Sequence, residues 1–161
     1  MHVVQIRRAI SADWEVLVRN NCRLADETEG KRLDPARIVP GVQAVLADER
    51  KGRYFVACRE QRIVGQLMHT WEWSDWRNGE IWWLQSVYVE PEFRRQGVFR
   101  ALYSHLVELS RDNPDVVGCR LYVETANRPA QDTYSAVGMR PGGYLVMEQM
   151  FTEHSVREET A

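Results

Sequence analysis

Apolar positions recur along the chain with two different periods, and the alternation between those periods predicts most of its elements. Residues 3–8, VVQIRR, read as a first strand. Ser11 then stands where a cap would open a helix from about 12 to 26, with Trp14, Leu17, Val18 and Leu24 as its apolar positions. Asp34-Pro35 pairs a capping carboxylate with the proline favoured in a first turn, and opens a second helix through Val42, Val45 and Leu46. Three apolar runs follow as strands: RYFVACRE and RIVGQLMHTWEW, joined tightly at Glu60-Gln61, and NGEIWWLQSVYVEP after the turn-like SDWRNG. From Gly97 the residues Val98, Phe99, Leu102, Leu106 and Leu109 repeat at helical spacing until RDNPD stops them. GCRLYVE predicts another strand, Arg128 to Val137 a short helix stopped by Gly138, and GGYLVMEQMF a last strand.

The predicted order is β, two helices, three strands, then α, β, α, β, which describes a mixed α/β domain with helices on both faces of a sheet. A chain of 161 residues suits one such domain. We assign it to residues 1–152 and read the final EHSVREETA, 153–161, as a polar tail.

Composition narrows the chemistry. A formal charge of −2 and a pI near 6.1 lack the basic footprint of nucleic-acid binding, so any anion recognition is local. Cys22, Cys58 and Cys119 are an odd number without close pairing. MHVVQIRRAI lacks the pattern of a secretory leader, and no apolar run has the length of a bilayer span. These features together predict a cytoplasmic protein with reduced thiols and no membrane partner. His2, His69, His105 and His154 are scattered, so no metal site is expected.

One local concentration of cations stands against the acidic balance. In RRQGVFR, Arg94, Arg95 and Arg100 surround Gly97 where a helix begins. A helix start exposes unpaired N–H groups and carries roughly half a positive charge. Glycine lets an anion approach that backbone, and arginine adds donors suited to phosphate oxygens. The stretch therefore has the parts of a pyrophosphate cradle, though a solvated cap has the same parts. In ETANRPAQDTYSAVGM, Asn127, Ala130 and Tyr134 share one face of the short helix, with Ala130 leaving room between a polar start and a phenol. The same residues read equally as a capping Asn127 and a surface Tyr134.

Together and in this order, V-Y-V-x-P-E-x-R-R-x-G-V and N-x-x-A-x-x-x-Y-x-x-x-G-M resemble the GNAT superfamily of N-acetyltransferases over about residues 81–139. The resemblance implies a single GNAT-like domain with a mixed, mostly antiparallel, splayed sheet. It implies acetyl-coenzyme A as cosubstrate, its pyrophosphate held on the amides of Gln96, Gly97, Val98, Phe99 and Arg100 with Arg94 and Arg95 nearby. The acetyl arm would lie between Ser86–Val89 and Leu121–Glu124, flanked by Asn127 and Ala130. The backbone of Val87, Tyr88 or Val89 would face the developing oxyanion, and Tyr134 would protonate the leaving thiolate. Phe99 departs from the small residue common at its position, and is expected to turn inward with Leu102 and Leu106. A homodimer is a further expectation by resemblance.

The base and the acceptor are less defined. Glu80 is the candidate general base, with water as the alternative relay. WEWSDWRNGEIWW holds five of the six tryptophans among Glu72, Asp75 and Glu80, a mixture suited to an organic cation. Glu72, Trp73, Trp76 and Gln85 are therefore candidate substrate contacts, while Trp82 and Trp83 are expected to pack the sheet. The resulting expectation is acetyl transfer to a primary amine of a small cationic molecule. The alternatives are a protein lysine or N-terminal acceptor, or a non-catalytic acyl-coenzyme A-binding module.

Overall fold

The computed structural model describes residues 4–151 and, for the backbone alone, Ser155 and Val156. Five strands form one sheet in the order β1 (Gln5–Arg8), β3 (Arg53–Arg59), β4 (Arg62–Ser74), β5 (Gly79–Val89), β6 (Val116–Leu121). Neighbours are antiparallel except β6, which runs parallel to β5. The turn between β3 and β4 is as tight as predicted, because Glu60 and Gln61 both adopt left-handed conformations, φ +48 and +68. A short ladder joins β2 (Arg32–Leu33) to β7 (Ser155–Val156). The rest of the predicted 153–161 tail lies outside the described residues.

Helices α1 (Trp14–Glu29) and α2 (Pro35–Ala47) cover one face, where Leu17 and Val42 meet Tyr54, Val56 and Met68. Helix α3 (Val98–Asp112) covers the other, with Val98, Leu102 and Leu106 against Phe55, Leu67, Trp82 and Leu84. Gly65 permits this seating: a Cβ there would stand 2.9 Å from Val98 Cγ1 and 3.2 Å from the Tyr88 carbonyl. The start of α3 thus rests directly on β4. Asp34 caps α2 as predicted, accepting from the Ala36 N–H at 2.9 Å.

The observed elements depart from the predicted ones in several places. Ser11 caps nothing: it opens a 3-10 turn, Ser11–Asp13, and the local carboxylate is Asp13, which accepts the Ile10 N–H and a bidentate Arg7. α1 also runs a turn further than predicted, to Gly30 at φ +61. β6 ends at Leu121 instead of reaching Glu124, because its partner β5 turns away beyond Leu84. The largest departure is at GGYLVMEQMF, which forms no strand. Gly143 sits at φ +76 and breaks the extended path, and Leu145, Met147 and Phe151 stand over nine-tenths exposed. An apolar run without a neighbouring strand has no ladder bonds to hold it extended.

His69 on β4 is fully buried between Phe55, Trp71 and Trp82, and neither ring nitrogen has a partner among the described residues. Burial, with a smaller contribution from Arg53, pushes its pKa down to about 3. The unfolded chain therefore binds a proton near pH 6.5 that the folded chain refuses, and stability falls as pH drops below that value. At pH 5 this single group should remove about 2 kcal/mol relative to pH 7. Urea unfolding at both pH values should show that difference shrinking by a similar amount in His69→Leu. An unchanged difference would mean that His69 holds a proton in the folded state.

Candidate active site

The loop from Glu90 to Gly97 delivers the chain from β5 to α3. Pro91–Phe93 make a 3-10 turn, and Arg95 and Gly97 are both left-handed, φ +61 and +82. The first helical bond runs from the Ala101 N–H to the Gly97 carbonyl at 3.0 Å. The amides of Val98, Phe99 and Arg100 precede it and point outward from the helix end. Nothing lies within 4 Å of where a Gly97 Cβ would be, so the backbone is open to a ligand.

The side chains of the motif divide into two groups. Arg94 is engaged by the fold: its Nε donates to the Val89 carbonyl at 2.8 Å, its Nη2 to Glu27 at 2.6 Å, and its guanidinium lies over Tyr88. The Gln96 side chain bridges Arg59 and the Glu92 carbonyl. Arg95 and Arg100 are exposed or nearly so and make no ion pair among the described residues, which leaves them as the cations flanking the helix start. Glu90, which has no role in the sequence motifs, anchors this loop to α1. Its carboxylate is 3% exposed and accepts from Arg23 at 2.7 Å and Arg19 at 3.3 Å. Only the fold could have revealed it, since its partners lie roughly seventy residues away in sequence.

Upstream of the loop the sheet opens. β5 and β6 pair from Glu80 opposite Val116 to Leu84 opposite Leu121, and then part. Ser86 and Val87 together face Leu67 alone, because the register on β4 steps from Gln66 opposite Tyr88 to Met68 opposite Gln85. Ser86 is left-handed, φ +50. Residues 85–89 are thus a bulged, kinked stretch whose β6 side is unpaired.

Helix α4 (Arg128–Ala136) brings the second motif to the same end of the sheet. Asn127 caps it, accepting from the Ala130 N–H at 3.1 Å. The Tyr134 ring meets Phe99 edge-on at 5.5 Å, and Phe99 meets Tyr103 at 5.9 Å. Phe99 therefore does not turn inward with Leu102 and Leu106. Val98 takes the inward position, since residues 98, 102 and 106 share one helix face, and Phe99 fills the seam between α3 and α4. Burial raises the Tyr134 pKa above its ordinary value, so its phenol stays protonated through neutral pH.

A cleft of about 340 Å³ opens between α1, α2 and the bulge. Leu24, Ile38, Val42 and Met68 line its walls, Glu29 its rim, and Asn21, Tyr54 and Ser86 supply the polar groups. Asn21 and Tyr54 carry no functional signal in the sequence, where they are indistinguishable from ordinary core positions. A larger hollow of about 460 Å³ lies against Arg19, Arg23, Glu27 and Glu90, where Glu90 pairs with both arginines and Glu27 with Arg94.

The tryptophan-rich hairpin is at the other end of the sheet. Glu72 accepts from the Trp83 indole at 2.6 Å and from Arg120 at 3.2 Å, whereas Gln85 adjoins the bulge and donates to Thr70 at 2.8 Å. Trp73 and Trp76 are 60% and 88% exposed and line neither of these two hollows. Glu80 lies six positions before Ser86, roughly 20 Å along an extended strand. Its carboxylate accepts from the Trp82 indole at 3.2 Å. Trp82 is buried in the sheet, as expected. Among the described residues no group of three or more potential ligands could hold a metal ion, and no helix is long and apolar enough to cross a membrane.

Residues 17–139 match the sequence model described as the acetyltransferase (GNAT) family. A crystal structure of a possible acetyltransferase from Clostridium difficile 630 is 42% identical, covers 94% of this chain and 99% of its own, and superposes with a TM-score of 0.86. The thialysine N-epsilon-acetyltransferase of Bos taurus is 33% identical over 79 residues, which are 47% of this chain and 44% of that enzyme. The chain thus spans under half the length of this curated relative. An aminoglycoside N-acetyltransferase in complex with CoA has a TM-score of 0.75 over 94% of this chain and 97% of its own. Its 13% identity carries the likeness of fold alone.

Proposed function

The chain belongs to the acetyltransferase (GNAT) family, and on that premise we propose that it transfers an acetyl group from acetyl-coenzyme A to a primary amine. The observation that carries the proposal is the continuity of one path. It runs from the parted strands β5 and β6, past the bulge at Ser86, to the open amides at Gly97. Arg95, Arg100 and the amides of residues 97–100 fit a pyrophosphate, and the gap beside residues 85–89 fits a slender acyl arm. The bound coenzyme supplies the activated thioester, and the protein supplies position and protons.

The amine enters from the cleft between α1 and α2 and bonds to the carbonyl carbon as the C–S bond breaks. The Val87 N–H faces the charge that develops on the carbonyl oxygen. Tyr134, protonated at neutral pH, gives its proton to the departing sulfur. The proton lost by the nitrogen leaves through water, since Glu80 is distant and hydrogen-bonded elsewhere. A primary amine with pKa near 10 supplies a minor neutral fraction for this step.

The cleft also bears on the acceptor. At about 340 Å³ it is near the lower end of small-molecule sites, and its walls are mainly aliphatic. It suits an amine carried on a short apolar body; Glu29 at the rim is paired with Lys31, so the apolar walls, and not a free charge, favour that acceptor. The hairpin tryptophans, remote from the bulge, no longer argue for a larger organic cation.

The test is thiol release from acetyl-coenzyme A with a panel of alkyl diamines, lysine analogues, amino sugars and peptides, with product mass confirmed. A gain of one acetyl group on a small aliphatic amine is expected. Acetylation of peptides alone would assign a protein acceptor, and coenzyme binding without turnover on any acceptor would favour the non-catalytic module.

A further inference from the structure

A non-glycine residue in the left-handed region is held there by its surroundings, at a local cost of about 1 kcal/mol or more. Ser86 is such a residue, in the middle of a strand. What holds it is Gln66 on the neighbouring strand. Gln66 is fully buried, and its Nε2 donates both to the Ser86 carbonyl at 3.2 Å and to Asn21 Oδ1 at 2.9 Å. Asn21 in turn donates its Nδ2 to the Tyr54 hydroxyl at 3.0 Å. The bulge is thereby tied to α1 and to β3.

The peptide between Ser86 and Val87 is trans, so its C=O and N–H point in opposite directions. Turning the carbonyl toward Gln66 sends the Val87 N–H away from β4, to the side where β6 has parted. Gln66 Oε1 has no partner among the described residues, so the amide carries an unsatisfied acceptor in the core. An aliphatic residue of the same length would pack there without that burden. The two N–H bonds are what this position gains from glutamine.

We propose that Gln66 is a positioning residue for acetyl transfer, one that fixes the Ser86 carbonyl and so aims the Val87 N–H at the thioester oxygen. It touches neither substrate, and its role rests on the acetyltransferase reading above. A donor aligned before reaction needs no reorganisation as charge develops, which is where such groups have most effect.

Gln66→Met keeps the length and removes both donors. Steady-state kinetics, calorimetry with coenzyme A and the ¹H–¹⁵N spectrum test it together against the wild type. The expected result is a kcat about 10- to 100-fold lower, since the donor is misaimed and not deleted. Acceptor KM and coenzyme affinity should stay within about twofold, with a displaced Val87 amide resonance. Equal kcat in a folded variant overturns the proposal, and so does a lower kcat with the Val87 amide unmoved, which would be a packing effect. Should Gln66→Met fail to fold, Asn21→Leu frees Gln66 from α1 and should lower kcat in the same direction by a smaller factor; unchanged kcat there is equally fatal. A wild type that acetylates no amine fails at an earlier point, because it removes the acetyltransferase reading itself.

Discussion

Gly97→Glu is expected to abolish acetyl-coenzyme A binding in a calorimetric titration in which the wild type is expected to bind, while leaving the protein folded. Two effects follow from the substitution. Gly97 is at φ +82, where a side chain costs about 1–2 kcal/mol. The carboxylate also points into the space a pyrophosphate would occupy. Like charges at about 4 Å repel by about 4 kcal/mol at an effective dielectric constant near 20. That repulsion alone predicts a Kd raised by about a thousandfold, since each 1.4 kcal/mol is a factor of ten. Because no atom lies within 4 Å of the Cβ position, the folded state has room for the side chain and stability should change only by the backbone strain. Gly97→Ala isolates that strain, with an expected stability loss of about 1–2 kcal/mol and little change in Kd. If Gly97→Glu bound coenzyme as the wild type does, the phosphates would have to lie elsewhere and the cradle would be an ordinary helix cap.

Tyr134→Phe should lower kcat by about 10²- to 10⁴-fold with coenzyme affinity nearly unchanged. The variant retains the ring and so its edge-on packing against Phe99, and loses only the proton donor. The pH dependence gives the sign of the effect. The phenol can donate only while protonated, below its pKa, and burial raises that pKa from its ordinary value of 10.0. Wild-type kcat should therefore hold through neutral pH and fall as pH rises through the raised value, and this alkaline limb should be absent from Tyr134→Phe. A variant with wild-type turnover would take Tyr134 out of the mechanism and leave the thiolate to depart unprotonated or with a proton from water.

The placements of Gly97 and Tyr134 are legible in the linear chain because each is set within a short span, while the roles proposed for them came from the resemblance. A left-handed glycine ahead of a helical period, and a phenol two turns from a capping asparagine, follow from backbone geometry over fewer than ten residues. Asp34 and the Glu60-Gln61 turn are readable for the same reason. The splay of the sheet came from the resemblance, and the register of β5 against β4 and β6 gives it a physical form.

Other features depended on what the chain brings together. Arg94, Arg95 and Arg100 look equivalent in RRQGVFR, yet Arg94 is engaged by Glu27, which lies on a helix far earlier in the chain. Phe99 and Val98 are adjacent, and the rotation of α3 on Gly65 sends Val98 inward and Phe99 to the seam with α4. The alternation in GGYLVMEQMF satisfies strand propensity, but propensity without a partner edge forms no strand. Glu72, Trp73 and Trp76 share a composition suited to a cation, and their hairpin lies a sheet's length from the bulge. Gln66 carries no local signal at all, because hydrogen bonds to Asn21 and Ser86 span separations of 45 and 20 residues. Local backbone preferences act between neighbours and survive in the linear code. Burial, charge pairing and strand register are properties of distant segments in contact, and they come into existence only when the sheet and its helices close around them.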